Sequence, residues 1–191
     1  MVININVAHQ PILGVDIYFS FSEFLKNLRN KIGTPESLIS ILENLDKYQN
    51  LHILIADDDP DDQELLAEAF YGISPNIKIT FADNGKDLMS MLTGKTHPDM
   101  IFLDLNMPAM NGFECLSKIK SHPDLQILPI LIYSTSAHEE QVEKTYHQGA
   151  NFYIQKPSNF NDIKDVIRKI LTHTVEEFYT QPARGKFLIR S

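Results

Sequence analysis

From residue 51 onward, short apolar runs alternate with amphipathic stretches, and this alternation constrains the fold more than any other feature of the sequence. The apolar runs are Leu51 to Ala56, Ile77 to Phe81, Met100 to Leu103, Pro129 to Tyr133 and Asn151 to Ile154. The stretches with helical spacing of apolar residues are Asp61 to Tyr71, Lys86 to Leu92, Glu114 to Lys120, His138 to His147 and Asn161 to Leu171. Strands that are each followed by a helix form a parallel sheet, because parallel neighbours need a crossover connection.

The pattern predicts the α/β class, with a doubly wound five-stranded parallel sheet of the flavodoxin-like order 2-1-3-4-5. The runs around Ile53 and Ile101 are apolar without alternation, which is typical of strands that are covered on both faces. Such sheets bind ligands at the carboxyl ends of their strands. We therefore expect the functional residues directly after the apolar runs.

Residues 1–50 lie outside this alternation and are predicted to form an N-terminal extension. A strand is expected around Val15 to Phe19, followed by a helical hairpin whose two helices are separated by Gly33. A hairpin of this size cannot bury both apolar stripes alone, so we expect it to pack on the main domain or to form a homodimer. The main domain is predicted to span residues 51–173, and residues 174–191 are interpreted as a C-terminal tail because they lack periodicity.

The composition favours a cytoplasmic protein that does not bind nucleic acid or membranes. The formal net charge is -8, which disfavours nonspecific attraction to polyanions. No apolar run approaches the roughly 18 residues that span a bilayer, and the N-terminus does not resemble a signal peptide. The single cysteine, Cys115, excludes an internal disulfide and lies in a helical apolar pattern, so we expect a packing role.

Acidic residues follow two apolar runs that should be neighbours in the sheet. Asp57 and Asp58 come directly after the first run, and Asp104 comes directly after the third. Carboxylates this close repel one another unless their pKa values rise or a cation binds. Oxygen ligands with a partly open shell suit Mg²⁺, which is the cofactor we expect. Asp61 and Asp62 are interpreted more simply, as favourable charges in the first turn of a helix.

Hydroxyl groups and a lysine follow the last two apolar runs. Ser134 and Thr135 come after the fourth run, and Lys156 comes after the fifth. A hydroxyl can donate to a phosphoryl oxygen, and a lysine supplies a compact positive charge. Each of these residues alone is uninformative, but acids, hydroxyls and a lysine at one end of a single sheet form a specific combination.

The segments ILIADDDPDD, FLDLNMPAMNG, LIYSTSA and YIQKP together resemble the receiver domain of two-component response regulators. The resemblance covers about residues 51–173 and is nearest to single-domain receivers of the chemotaxis-regulator type. It implies that a histidine kinase or phosphotransfer protein phosphorylates Asp104. It also implies a signalling role rather than an enzymatic one, with output to a downstream protein target.

The same resemblance implies a role for each metal-binding position. Asp58 and Asp104 would bind Mg²⁺ directly, Asp57 through a water molecule, and Asn106 through its backbone carbonyl. Lys156 would bind the phosphoryl group, and its bond to Pro157 is expected to be cis.

A switch is implied as well. Ser134 matches the switch hydroxyl, and Tyr153 matches an aromatic residue that turns inward on activation and changes the surface of the fourth helix, fifth strand and fifth helix. Thr135 is an alternative donor of the hydroxyl, and Asn106 and Ser136 occupy positions that tune phosphoryl hydrolysis. An ordinary half-buried strand tyrosine is nearly as good an interpretation of Tyr153.

Two other functions compete with the phosphorylated receiver. The first is a degenerate receiver that keeps the fold only as a docking scaffold. The second is a phosphatase of the haloacid-dehalogenase kind, because the segment FLDLN also resembles the nucleophile strand of that family. That chemistry needs a second aspartate where this chain has Asn106, and it has no place for Asp57 and Asp58.

Overall fold

A computed structural model of the chain describes residues 51–94, 97–171 and 179–190. The strand, the helical hairpin and the homodimer predicted for residues 1–50 lie outside these residues, as does the end of the main domain after residue 171. Within the described ranges, no helix has both the length and the apolar character that crossing a membrane requires.

The described residues form alternating strands and helices in the order that the sequence predicts. The strands are β1 (His52–Ala56), β2 (Lys78–Ala82), β3 (Met100–Leu103), β4 (Ile130–Ser134), β5 (Phe152–Gln155) and β6 (Leu188–Ile189). The helices are α1 (Pro60–Tyr71), α2 (Gly85–Met91), α3 (Gly112–Ser121), α4 (Glu139–His147), α5 (Phe160–Leu171) and α6 (Arg184–Phe187).

The strands form one sheet of order β2-β1-β3-β4-β5-β6 in which every neighbouring pair is parallel. This confirms the predicted α/β fold and the order of its first five strands. The crossover between β2 and β3 places β3 beside β1, with Ala56 opposite Leu103. The residues that follow these two strands therefore emerge side by side at the same edge of the sheet.

Helix starts are fixed by side chains that cap the free backbone amides. The Asp59 carboxylate accepts from the amide of Asp61 ahead of α1, whose first residue is Pro60. Asn111 and Glu114 form a reciprocal capping box at the start of α3. These caps explain why α1 begins one residue, and α3 two residues, before the positions predicted from apolar spacing.

Apolar side chains cover both faces of the sheet, as expected for a doubly wound fold. On one face, Phe70 of α1 meets Phe102 of β3 edge to face, with ring centroids 5.2 Å apart. On the other face, α3 packs Leu116 and Cys115 against the strands. Cys115 is fully buried among these side chains, as expected for a packing role, and burial raises the pKa of its thiol to about 11.

The C-terminal residues differ from the irregular tail that the sequence predicts. Arg184–Phe187 form a short helix, and Leu188–Ile189 pair in parallel with β5, so the sheet has six strands rather than five. A four-residue helix and a two-residue strand are too short to show a hydrophobic period. They are attached instead by contacts with distant residues, which include the pairing with β5 and the fully buried side chain of Phe187.

Candidate functional site

Three carboxylates meet where β1 and β3 end. Asp57, Asp58 and Asp104 each offer an oxygen atom, and these atoms lie within 4.8 Å of one another. Asp57 is 2% exposed and Asp104 is 7% exposed, whereas Asp58 is open to solvent. The structure therefore brings together the three acidic residues that the sequence singled out.

The two buried carboxyl groups are held in an environment that opposes their ionisation. Burial raises the pKa of Asp57 and of Asp104 above the usual aspartate value. Lys156 and backbone amides counteract this effect in part, and one of them, the Leu105 amide, donates to Asp104 Oδ1 at 2.7 Å. The remaining cost favours a further positive charge in the cluster.

Lys156 reaches the cluster from the end of β5 and contacts several carboxylates. Its Nζ donates to Asp57 Oδ2 at 2.7 Å and to Asp62 Oδ2 at 2.7 Å. The same atom lies 3.9 Å from Asp104 Oδ2. Burial alone would lower the pKa of Lys156, but the carboxylates of Asp57 and Asp62 outweigh it and hold this pKa above the usual lysine value.

Asp62 is a member of the site that sequence reasoning missed. It lies in the first turn of α1, where a negative charge stabilises the helix. This helical role was enough to account for an aspartate at this position, so no role in the site was predicted for it. Its ion pair with Lys156 joins residues 94 positions apart. The signal that could have found it is its place in the first turn of α1, because this turn begins at the sheet edge directly after Asp57 and Asp58.

The peptide bond between Lys156 and Pro157 is trans, contrary to the expected cis bond, and no cis bond occurs among the described residues. The Lys156 side chain reaches two carboxylates with the trans bond in place. The trans isomer is the more stable one even before proline, by about 0.5–1 kcal/mol.

The hydroxyl side chains near the site differ in burial. Ser134 is fully buried at the end of β4, where its hydroxyl lies near the Tyr153 hydroxyl but makes no hydrogen bond of good geometry among the described residues. Thr135 is exposed beside it, and Asn106 is exposed after β3. A buried hydroxyl whose hydrogen bonding is unsatisfied is costly, so a further acceptor at this position would be favourable.

Tyr153 lies behind this part of the site. It is fully buried rather than half-buried, and its hydroxyl donates to the backbone carbonyl of Ser136 at 2.6 Å. Burial raises its pKa. Ser136 belongs to the loop that follows β4, so the tyrosine is tied to the same loop that carries Ser134 and Thr135.

The donor set suits a small, hard cation. It consists of carboxylate oxygens, two of them buried, and the single nearby lysine does not balance three negative charges. Hard divalent cations such as Mg²⁺ and Mn²⁺ prefer oxygen ligands of this kind. The pocket can therefore hold a divalent metal ion.

Comparison with known proteins agrees with this geometry. The sequence profile described as the response regulator receiver domain matches residues 53–168. The chain is 28% identical over 130 residues to response regulator Rcp1 of Synechocystis sp., covering 65% of this chain and 88% of that protein.

Two solved structures share the fold. The phosphorylated cyanobacterial phytochrome response regulator RcpA is 29% identical, with a TM-score of 0.60 over 70% of this chain and 99% of that one. The Mn²⁺-bound form of Rcp1 is 28% identical, with a TM-score of 0.59 over 69% and 99% of the two chains. The profile match extends over more than half of the chain, and the chain belongs to the response regulator receiver family of two-component signal transduction.

Proposed function

We propose that Asp104 accepts a phosphoryl group from a histidine kinase or phosphotransfer protein and thereby switches a surface that binds a downstream protein. One observation carries this proposal: Lys156 lies within 3.9 Å of Asp104, in a cluster that also holds Asp57 and Asp58. A nucleophilic carboxylate beside a fixed cation and a candidate metal site has the parts that phosphoryl transfer to a carboxylate requires.

In the proposed reaction, a carboxylate oxygen of Asp104 attacks the phosphorus atom of a phosphohistidine. The new O–P bond forms as the P–N bond breaks, and the leaving imidazole takes up a proton. Lys156 stabilises negative charge on the transferred group, and positioning supplies most of the remaining catalysis.

We assign the metal site to Asp57, Asp58, Asp104 and the backbone carbonyl of Asn106, with Mg²⁺ as the ion. When bound, Mg²⁺ supplies positive charge that offsets both the carboxylates and the incoming phosphoryl oxygens. Asp57 and Asp104 gain most from this charge because both are buried.

The phosphoryl group would also give the unsatisfied buried hydroxyl of Ser134 a hydrogen-bond acceptor. Thr135 remains the alternative donor, although its side chain is exposed. We also propose that Asn106 and Ser136 tune how fast the acyl phosphate hydrolyses. Movement of Ser134 would be transmitted to Tyr153, which makes these two residues the proposed switch.

This role is signalling, with no turnover beyond self-phosphorylation and autodephosphorylation. The output is a protein target or relay of the phosphoryl group, and the net charge of -8 disfavours a nucleic-acid partner. We also propose a cytoplasmic location, which the single cysteine of the sequence supports.

Incubation with acetyl phosphate and Mg²⁺, followed by intact-protein mass spectrometry, tests the proposal. The wild-type protein should gain one phosphoryl group, and Asp104→Asn should gain none. Asp61→Asn is the matched control, because it removes an exposed aspartate near the site and should be labelled like the wild type.

Three results would contradict the proposal. An unlabelled wild-type protein would favour the docking scaffold, and full labelling of Asp104→Asn would move the acceptor to another residue. Steady hydrolysis of a phosphate monoester would favour the phosphatase.

A further inference from the structure

Residues 179–190, here called the C-terminal segment, lie on α4, β5 and α5. These three elements form the surface that a phosphorylated receiver is expected to change. The segment pairs with β5 through β6, with Leu188 opposite Tyr153 and Ile189 opposite Ile154. It reaches α5 where Lys169 Nζ donates to the backbone carbonyl of Arg190 at 3.2 Å.

Polar contacts attach the first half of the segment to α4 and to the loop after it. Arg184 Nε donates to Glu143 Oε1 at 2.6 Å. Gln181 Nε2 donates to the carbonyls of Tyr146 and Ala150 at 2.6 and 2.9 Å. The hydroxyl of Tyr146 in turn donates to the carbonyl of Pro182 at 3.2 Å.

Phe187 anchors the segment in an aromatic pocket. Its side chain is fully buried. Its ring centroid lies 5.0 Å from that of Tyr146 and 6.4 Å from that of Tyr153, edge to face in both cases. A strand added to a sheet edge, with one aromatic side chain in a pocket, is a common way for proteins to bind extended peptides.

This pocket is linked to the candidate phosphorylation site through Tyr153. One side of the Tyr153 ring packs against Phe187, and its hydroxyl bonds to the Ser136 carbonyl, two residues after Ser134. Ser134 carries the buried hydroxyl whose hydrogen bonding is unsatisfied. A short chain of contacts therefore runs from the phosphoryl pocket to the C-terminal segment.

We propose that the edge of β5, together with Tyr146 and Glu143, is an intramolecular peptide-binding site whose ligand is the C-terminal segment, and that its occupancy is coupled to the phosphoryl group on Asp104. The coupling rests on the proposed function of Asp104. When a phosphoryl oxygen accepts a hydrogen bond from the Ser134 hydroxyl, the buried position of Tyr153 is favoured. The C-terminal segment packs on Tyr153 in this buried position.

Phosphorylation of Asp104 and docking of the C-terminal segment should therefore favour each other. Because coupling between binding equilibria is reciprocal, the segment must strengthen phosphoryl binding by the same factor by which the phosphoryl group strengthens docking of the segment. A downstream protein then meets α4 together with the C-terminal segment, and not a bare edge of β5.

Hydrogen exchange of the full-length protein, with and without beryllofluoride and Mg²⁺, measures docking directly. Beryllofluoride is the phosphoryl analogue in this experiment. The amides of residues 184–190 should exchange about five-fold or more slowly when beryllofluoride is bound, which is the lower end of typical coupling.

Beryllofluoride affinity, measured by titration calorimetry at saturating Mg²⁺, provides the reciprocal readout. Phe187→Ala should weaken this affinity by about five-fold, although Phe187 is outside the phosphoryl pocket. Glu143→Gln removes the negative charge that pairs with Arg184 without touching the core and should weaken the affinity in the same direction. Lys186→Ala changes an exposed neighbour in α6 and should match the wild type.

The outcomes separate the coupling from the function of Asp104. If the wild-type protein binds beryllofluoride but Phe187→Ala and Glu143→Gln bind it equally well, the coupling is wrong and the function stands. If Phe187→Ala does not fold, Glu143→Gln decides alone. If the wild-type protein neither binds beryllofluoride nor takes up a phosphoryl group, both proposals are wrong.

Discussion

Ion pairs keep Lys156 charged in a place where burial alone would lower its pKa. Its side chain is 7% exposed, and desolvation of the ammonium group is offset by ion pairs with Asp57 and Asp62. Of these partners, Asp57 belongs to the cluster with Asp58 and Asp104, whereas Asp62 lies outside that cluster and its side chain is 35% exposed. Asp62 therefore competes with an incoming anion for Lys156.

Removing this competitor should strengthen anion binding. Asp62→Asn is expected to bind beryllofluoride up to about five-fold more tightly at saturating Mg²⁺, because a partly exposed ion pair contributes about 1 kcal/mol or less. Titration calorimetry measures the change. Asp61→Asn removes the same charge from the adjacent position and should leave the affinity unaltered. Weaker binding by Asp62→Asn would instead show that Asp62 positions Lys156 for the ligand.

The turn between β3 and α3 places Asp104 by very close backbone packing. Gly112, the first residue of α3, donates its amide to the carbonyl of Leu105 at 3.0 Å. A Cβ atom at Gly112 would lie 2.1 Å from the backbone oxygen of Asp104 and 2.8 Å from Leu105 Cα. Any side chain there must displace the segment that carries the acceptor carboxylate.

Gly112→Ala should therefore impair both stability and labelling. We expect a loss of about 1–3 kcal/mol in the free energy of unfolding, the usual cost of overpacking, and slower labelling by acetyl phosphate. Urea denaturation and time-resolved mass spectrometry measure the two effects. Gly185→Ala is the control, because its Cβ would meet no atom within 4 Å. Labelling of Gly112→Ala at the wild-type rate would show that the turn adjusts without moving Asp104.

The elements that could be predicted are those with a buried run of several residues. The strand Met100–Leu103 was predicted to the residue because all four side chains are buried and the run ends at Asp104. The C-terminal elements could not be predicted, since β6 has two residues and depends on a distant partner strand. Local sequence encodes a helix or strand only when the element is long enough to repeat its pattern.

The candidate site shows the same division. The sequence predicts the proximity of Asp57, Asp58 and Asp104, because parallel strands end at one edge of the sheet and β1 and β3 are neighbours. The ion pair between Asp62 and Lys156 could not be predicted, because it depends on the direction of a lysine side chain 94 positions away in the sequence. The contact between Tyr153 and Phe187 likewise could not be predicted, because no local pattern connects these two residues.

The carboxylate cluster also affects the stability of the whole receiver domain. An unfolded chain does not hold three carboxylates within 4.8 Å of one another, so an ion bound there stabilises the folded state alone. At about 100 times its dissociation constant, Mg²⁺ should raise the free energy of unfolding at pH 7 by about 2.7 kcal/mol. Asp58→Asn should lose most of this gain, and Asp61→Asn should keep it.

The gain from Mg²⁺ should depend on pH, with a sign set by the raised pKa values of Asp57 and Asp104. Without metal, these groups favour folding while they are protonated, and this contribution is lost as the pH rises from about 4 through their raised pKa values. Protons and Mg²⁺ compete for the same oxygens, so the metal-dependent gain should be full at pH 7 and shrink as the pH falls towards 4. Urea denaturation with and without Mg²⁺ measures it, and a gain that stays constant over this range would place the ion elsewhere.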